Sequence, residues 1–288
     1  RQVDGALQIY NAPNGTPLRQ IDPGFNFVTL NSGDAGGWTE INPGEWVPTE
    51  KLIDTTGNIS SFTGYLLPEE PLQYTIAWSL VNMYPSPEPG GSPLESLEYI
   101  YRYTPLRVYT EVEVDGYRWY QIDAGKWVHQ HRVSKVNAVS EIPEGIETDL
   151  WVGIDLFEQN VVVYEGARPI FATLTSTGLP RWPTFEGVYN IYYRTQREHM
   201  TWGVVGDDYY VLEEVPWTMF FDEGRALHGA YWHDGFGYRR SHGCVNLSIT
   251  DAKWLYDRVA DYMGSSRSGN LEDDGVGVYV YSSDTYDS

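Results

Sequence analysis

The chain is poor in cysteine, in positive charge and in long apolar runs. One cysteine among 288 residues excludes an intramolecular disulfide. A lone thiol is either a buried structural residue or a reactive one, and composition alone favours the first. Forty Asp and Glu against 19 Lys and Arg give a net charge of −21, which argues against the basic surface that nucleic-acid binding needs. No apolar stretch approaches the ~18 residues of a membrane-spanning helix, and no secretory leader is visible. The first residue is Arg1 rather than Met, so a targeting or anchoring segment upstream is expected to have been removed.

What the chain has in quantity is aromatic residues, with 23 Tyr and 11 Trp, punctuated by 29 Gly and 17 Pro. That composition predicts a mainly β protein. Three regions are expected. Residues 1–56 hold short apolar-alternating pieces broken by Pro13-Asn14-Gly15, Asp22-Pro23-Gly24 and Asn42-Pro43-Gly44, a small-barrel pattern. Residues 57–140 contain a long loop, Pro85 to Pro93, and end as the first region ends. Trp38-Thr39-Glu40-Ile41 and Gly44-Glu45-Trp46-Val47 recur, 81 positions later, as Trp119-Tyr120-Gln121-Ile122 and Gly125-Lys126-Trp127-Val128. This is an internal repeat of strand, turn and strand.

The two repeats resemble bacterial SH3-like domains. The resemblance implies modules that bind wall material, or that only position the C-terminal half of the chain; a repeat shows architecture and leaves these open. A linker, Ser140 to Thr148, leads into residues 146–288. There β-branched runs at Trp151–Leu156, Val161–Tyr164 and Ile170–Leu174 predict hairpin strands, followed by strands at Gly187–Tyr193, Tyr209–Leu212, Trp217–Phe221 and Gly277–Tyr281. Ser248, three residues before Asp251, has capping-box spacing for one helix over Ala252–Met263.

The chemistry-bearing stretch is Leu227 to Asn246. It holds His228, His233 and His242, three of the six histidines, and Cys244. A thiol becomes a useful nucleophile when a histidine takes its proton. Small neighbours such as Gly243 let substrate reach the sulfur and let backbone N–H groups face a developing oxyanion. Arg239 and Arg240 against Asp234 make the loop locally positive. The histidine and cysteine spacings fit no common zinc pattern, so neither a metal nor a cofactor is expected.

His228-Gly229-Ala230-Tyr231, a variable loop and Ser241-His242-Gly243-Cys244-Val245-Asn246 resemble the signature of the L,D-transpeptidases of the YkuD family. Pro183-Thr184 and Gly187 resemble that family's Thr-Pro-Thr-Gly turn, with Trp182 in place of the first Thr and Phe185-Glu186 inserted. The resemblance implies a β-rich catalytic domain with one prominent helix, acting on peptidoglycan stem peptides outside the cytoplasm. It implies Cys244 as nucleophile and His228 as base, oriented by a backbone carbonyl. Ser241 and His242 would shape the loop, and amides around Gly243 would form the oxyanion hole. Asn246, Tyr231, Trp232, His233 and Arg240 are expected to contact substrate.

His233, flanked by Asp234, stays open as a rival base. A papain-like endopeptidase would place its histidine after the cysteine, and His242 is the last histidine in the chain. A wall-binding protein with weak L,D-carboxypeptidase activity, or none, is the remaining alternative.

Overall fold

The computed structural model describes residues 1–264 and 275–285. The internal repeat is exact in register. Trp38–Asn42 pairs with Glu45–Pro48 through Trp38↔Pro48, Thr39↔Val47, Glu40↔Trp46 and Asn42↔Glu45. Tyr117–Asp123 pairs with Lys126–His129 through Trp119↔His129, Tyr120↔Val128, Gln121↔Trp127 and Asp123↔Lys126. Each hairpin carries its irregularity at the same place, and each runs into a 3₁₀ turn, Thr49–Lys51 or Gln130–Arg132. Gly44 and Gly125 take positive φ at the two tips, a conformation that glycine adopts without a Cβ penalty.

Two sheets cross the boundaries between the three expected regions. One runs Gly187–Asn190, Gly277–Tyr281, Leu150–Asp155, Asn160–Glu165, Arg168–Leu174 and Tyr65–Leu66. Its strands are apolar on both faces because both faces are covered. Val152, Ile154, Val161, Val163, Val278 and Val280 pack toward the helix. Trp151, Val162 and Tyr164 turn the other way and share a core with Ile76, Trp78 and Leu80 of the second region. Cross-strand partners Trp151 and Tyr164 stack at 3.9 Å.

The other sheet runs Val245–Leu247, Arg225–Gly229, Tyr210–Asp222, Phe25–Phe27, Gln2–Val3 and Leu52–Ile53, with Tyr193–Trp202 also on Tyr210–Asp222. Phe25–Phe27 of the first region lies parallel to Tyr210–Leu212. The segments Tyr209–Leu212 and Trp217–Phe221, expected as two strands, form one strand kinked at Glu214 and Trp217, both at positive φ around Pro216. The single strand expected over Gly187–Tyr193 is instead divided. Gly187–Asn190 pairs with Gly277–Tyr281, whereas Tyr193–Trp202 joins the second sheet, and buried Ile191 marks the crossing.

The helix spans Ile249–Met263, with Ser248 Oγ accepting the Asp251 N–H at 3.2 Å. The reciprocal half of the capping box is replaced. The Asp251 carboxylate accepts Gly64 N–H at 3.0 Å and Thr173 Oγ1–H at 2.6 Å, which ties the helix start to the segment before Tyr65–Leu66. Leu255, Tyr256 and Val259 enter the core, while Tyr262 stays exposed.

Candidate active site

The site is built on one parallel strand pair. Arg225–Gly229 and Val245–Leu247 align Leu227↔Val245, His228↔Asn246 and Gly229↔Leu247. Side chains alternate across a sheet. Leu227, Val245 and Leu247 go into the core with no exposed surface, so Ala226, His228, Cys244 and Asn246 share the opposite face. That face floors a cavity of about 360 Å³. Its polar side carries His228, His233, Arg240, Ser241, His242, Cys244 and Asn246, and its apolar side Phe25, Met200, Tyr210, Leu212 and Trp232.

The turn before Cys244 is clamped from several sides. Ser241 Oγ accepts Gly243 N–H at 3.1 Å and donates to the Cys244 carbonyl. Thr184 Oγ1 donates to the Gly243 carbonyl at 2.8 Å and accepts Gly178 N–H at 3.0 Å. Asn246 exchanges backbone hydrogen bonds with Ser176. Thr184 thus secures the turn even though Trp182 and the Phe185-Glu186 insertion alter the sequence around it. Gly243 sits at φ +114°, and a Cβ there would lie 2.9 Å from Arg225 Nε. Gly243→Ala therefore meets both backbone strain and a side-chain clash. Expected is a stability loss of about 1–3 kcal/mol with larger damage to thiol reactivity, checked by denaturant unfolding beside alkylation rates; unchanged alkylation would show that the turn geometry does not matter.

The thiol and the imidazoles are held toward their neutral forms. Burial pushes the Cys244 thiol up, opposed by the Ala226 N–H and the nearby Arg225 guanidinium. Burial lowers His228 to about 4, and the side chain is only 2% exposed. Its Nδ1 lies 3.2 Å from the Gly229 carbonyl. A neutral imidazole donates at that contact, so Nε2 keeps its lone pair. The ring of Trp232 lies beside it, 5.6 Å between centroids.

His233 is arranged differently. Burial lowers it to about 4 as well, but both ring nitrogens are engaged. Nδ1 accepts Gly235 N–H at 3.0 Å, and Nε2 is 2.9 Å from the Asn246 amide. Because Nδ1 accepts, Nε2 carries the proton, and a turn of the Asn246 amide that exchanges the Nδ2 placed there for its oxygen satisfies it. The NH₂ then takes the buried place of Oδ1, which has no partner among the described residues. Asp234, which flanks His233 in the sequence, pairs with Arg102 at 3.8 Å.

The other expected residues divide. Trp232 and Arg240 line the cavity. Tyr231 does not: its hydroxyl donates to the Glu213 carbonyl at 2.6 Å, and its ring packs on Phe27 of the first region. Arg239 donates to the Leu156 carbonyl, away from the cavity. Gly243 N–H is spent on Ser241 Oγ and is not free for an oxyanion. His242 lies against Trp182 at 4.0 Å, with Trp202 and Tyr210 around it.

Phe25, Met200, Tyr210, Leu212, Thr184 and Arg225 were not singled out from the sequence as site residues. Only Thr184 carried a local signal, through its imperfect turn motif. Phe25 reaches the cavity from the first region by the parallel pairing of its strand.

A buried histidine with one open nitrogen and a partly accessible thiol on a clamped turn line one cavity in a mainly β domain, a site suited to acyl transfer. Residues 149–278 match the YkuD family model, described as the L,D-transpeptidase catalytic domain. The putative L,D-transpeptidase YciB of Bacillus subtilis is 24% identical over 148 residues, covering 42% of this chain and 67% of its own length. L,D-transpeptidase 1 of Mycobacterium tuberculosis is 28% identical over 175 residues, covering 54% of this chain and 67% of its own.

Among solved structures, L,D-transpeptidase 3 from Mycobacterium tuberculosis aligns at TM-score 0.39 and 22% identity, over 46% of this chain and 61% of that one. An L,D-transpeptidase from Stackebrandtia nassauensis aligns at TM-score 0.33 and 27% identity, over 47% and 56%. The matches thus span about two thirds of these curated relatives and less than two thirds of these solved chains. Residues 149–278 are an L,D-transpeptidase catalytic domain of the YkuD family.

Proposed function

We propose that the chain is a cysteine-dependent L,D-transpeptidase acting outside the cytoplasm on peptidoglycan tetrapeptide stems. One observation carries this reading: Cys244 and the open Nε2 of His228 share one face of a strand pair and one cavity. With a raised thiol and a neutral imidazole at rest, proton transfer accompanies attack instead of preceding it.

Sγ bonds to the carbonyl carbon of the L-centre as the thiol proton moves to His228 Nε2. The Cys244 N–H faces the oxyanion, since Gly243 N–H is occupied. Collapse breaks the C–N bond, and His228 returns its proton to the departing D-Ala amine. A second stem's side-chain amine then attacks the thioester, again with His228 as base, closing a three-to-three cross-link. The two preceding β regions are read as SH3-like modules that hold this domain.

Intact mass spectrometry with a tetrapeptide stem tests the reading. The wild type is expected to gain the stem minus D-Ala, localised to Cys244, and Cys244→Ala to gain nothing. An adduct that survives in Cys244→Ala, or none in the wild type, sinks it.

A further inference from the structure

The second β region reaches into the loop between His228 and Ser241 through Leu80, Arg102 and Tyr103, and Tyr103 makes the central contact. Tyr103 stands at φ +68°, in the left-handed region that a bulky residue seldom occupies without a compensating constraint. Its N–H is held by the Ser79 carbonyl at 2.7 Å. From that backbone its hydroxyl donates to the Asp234 carbonyl at 2.9 Å and accepts Phe236 N–H at 3.2 Å. The ring leans on Phe62 at 4.8 Å and lies under the Arg102 guanidinium at 4.1 Å. Alongside, Gly237 comes so close to Leu80 that a Cβ would lie 2.2 Å from Leu80 Cδ2.

These contacts bracket His233. One hydroxyl bonds both Asp234 and Phe236, with Arg102 also donating to the Asp234 carbonyl, and Gly235 between them supplies the N–H that holds His233 Nδ1. His233 in turn faces Asn246 on the strand that follows Cys244. Cys244 is clamped by Ser241, Thr184 and Ser176, with the Ser176 hydroxyl also donating to the Gly235 carbonyl at 2.9 Å, and His228 sits on a paired strand.

We propose that Tyr103 is a positioning residue for substrate binding: the second β region holds the cavity wall of Trp232, His233 and Arg240 in place through the Tyr103 hydroxyl. The kinetic part rests on the transpeptidase reading. A substrate wall that loosens weakens binding, while a nucleophile and base held elsewhere keep their chemistry.

The test uses the full chain with Tyr103→Phe, which keeps the ring and removes the hydroxyl. Expected is a rise in KM for a stem tetrapeptide of about tenfold, with kcat within about threefold. Alkylation of Cys244 by iodoacetamide stays at the wild-type rate. Hydrogen exchange at the Phe236 amide speeds up. Tyr84→Phe, a control elsewhere in the same region, changes none of these. An unchanged KM, a fall in kcat at constant KM, or an equal effect from Tyr84→Phe overturns the proposal. Should the wild type form no acyl-enzyme, the transpeptidase reading fails by itself. The strut is then judged on exchange at Phe236, and an unchanged rate in Tyr103→Phe refutes it.

Discussion

Replacing His228 by Gln lowers kcat/KM for acylation by about 10²–10⁴-fold, the ordinary contribution of a positioned general base. Replacing His233 by Gln leaves it within about tenfold. His228 is buried and His233 half-buried, both line the cavity, and both have their pKa lowered to about 4; titration does not distinguish them. Hydrogen bonding does. His233 spends Nδ1 on Gly235 N–H and Nε2–H on Asn246, so it has no lone pair to offer the thiol. His228 donates Nδ1–H to Gly229 and keeps Nε2 open. The same arrangement predicts the pH profile: the acid limb of kcat/KM falls near pH 4 instead of near 6.5. Single-turnover acylation of the two variants decides it, and a larger loss in His233→Gln would reverse the assignment.

Folding stability is expected to peak near pH 6.5 and to fall by about 1 kcal/mol between there and pH 8, with Glu158 as the cause. Burial raises the Glu158 carboxyl from 4.5 to about 8, beside Asp155 and despite the Lys135 N–H and Asn137 amide. The folded chain therefore holds a proton that the unfolded chain has released, and stability drops as pH rises from 4.5 toward 8. His228 and His233 act in the opposite sense. Each, lowered from 6.5 to about 4, contributes about 3 kcal/mol at pH above 6.5 that is lost as pH falls through 6.5 to 4.

Between pH 4.5 and 6.5 the two histidines outweigh Glu158 and stability rises with pH, and above 6.5 the Glu158 slope prevails. Glu158→Gln mimics the protonated side chain. It is expected to abolish the alkaline decline and to be about 3–5 kcal/mol more stable than wild type at pH 8. Urea unfolding across that range checks it. A wild type flat from pH 6.5 to 8, or a variant that still declines, contradicts the assignment.

What could be read from the sequence was local. The repeated hairpins are visible because a strand, a Gly turn and a strand lie within about ten residues of each other. The Ser248 cap and the Ser241-His242-Gly243-Cys244 turn are equally compact. Pairings across the chain were not readable. Nothing near Phe25 says that it lies parallel to Tyr210, nor near Tyr65 that it pairs with Ala172. The cavity's apolar wall and the Tyr103 contact depend on such pairings. The kinked strand Tyr210–Asp222 was read as two because Pro216 and the polar Glu213-Glu214 resemble a break; cross-strand pairing carries it through. Asp251 was legible as a cap residue by spacing, but its partner, Gly64, was not.

The parallel pairing of Phe25–Phe27 with Tyr210–Leu212 also has a consequence during synthesis. At about 5–20 residues per second, the first strand leaves the ribosome on the order of ten seconds or more before its neighbour exists. Throughout that interval its backbone donors and acceptors face outward beside Phe25 and Phe27, a template on which another nascent copy could add a strand. The acidic excess that accumulates as the chain lengthens supplies a countermeasure. Copies growing on adjacent ribosomes repel one another until the strand that closes that edge has been made.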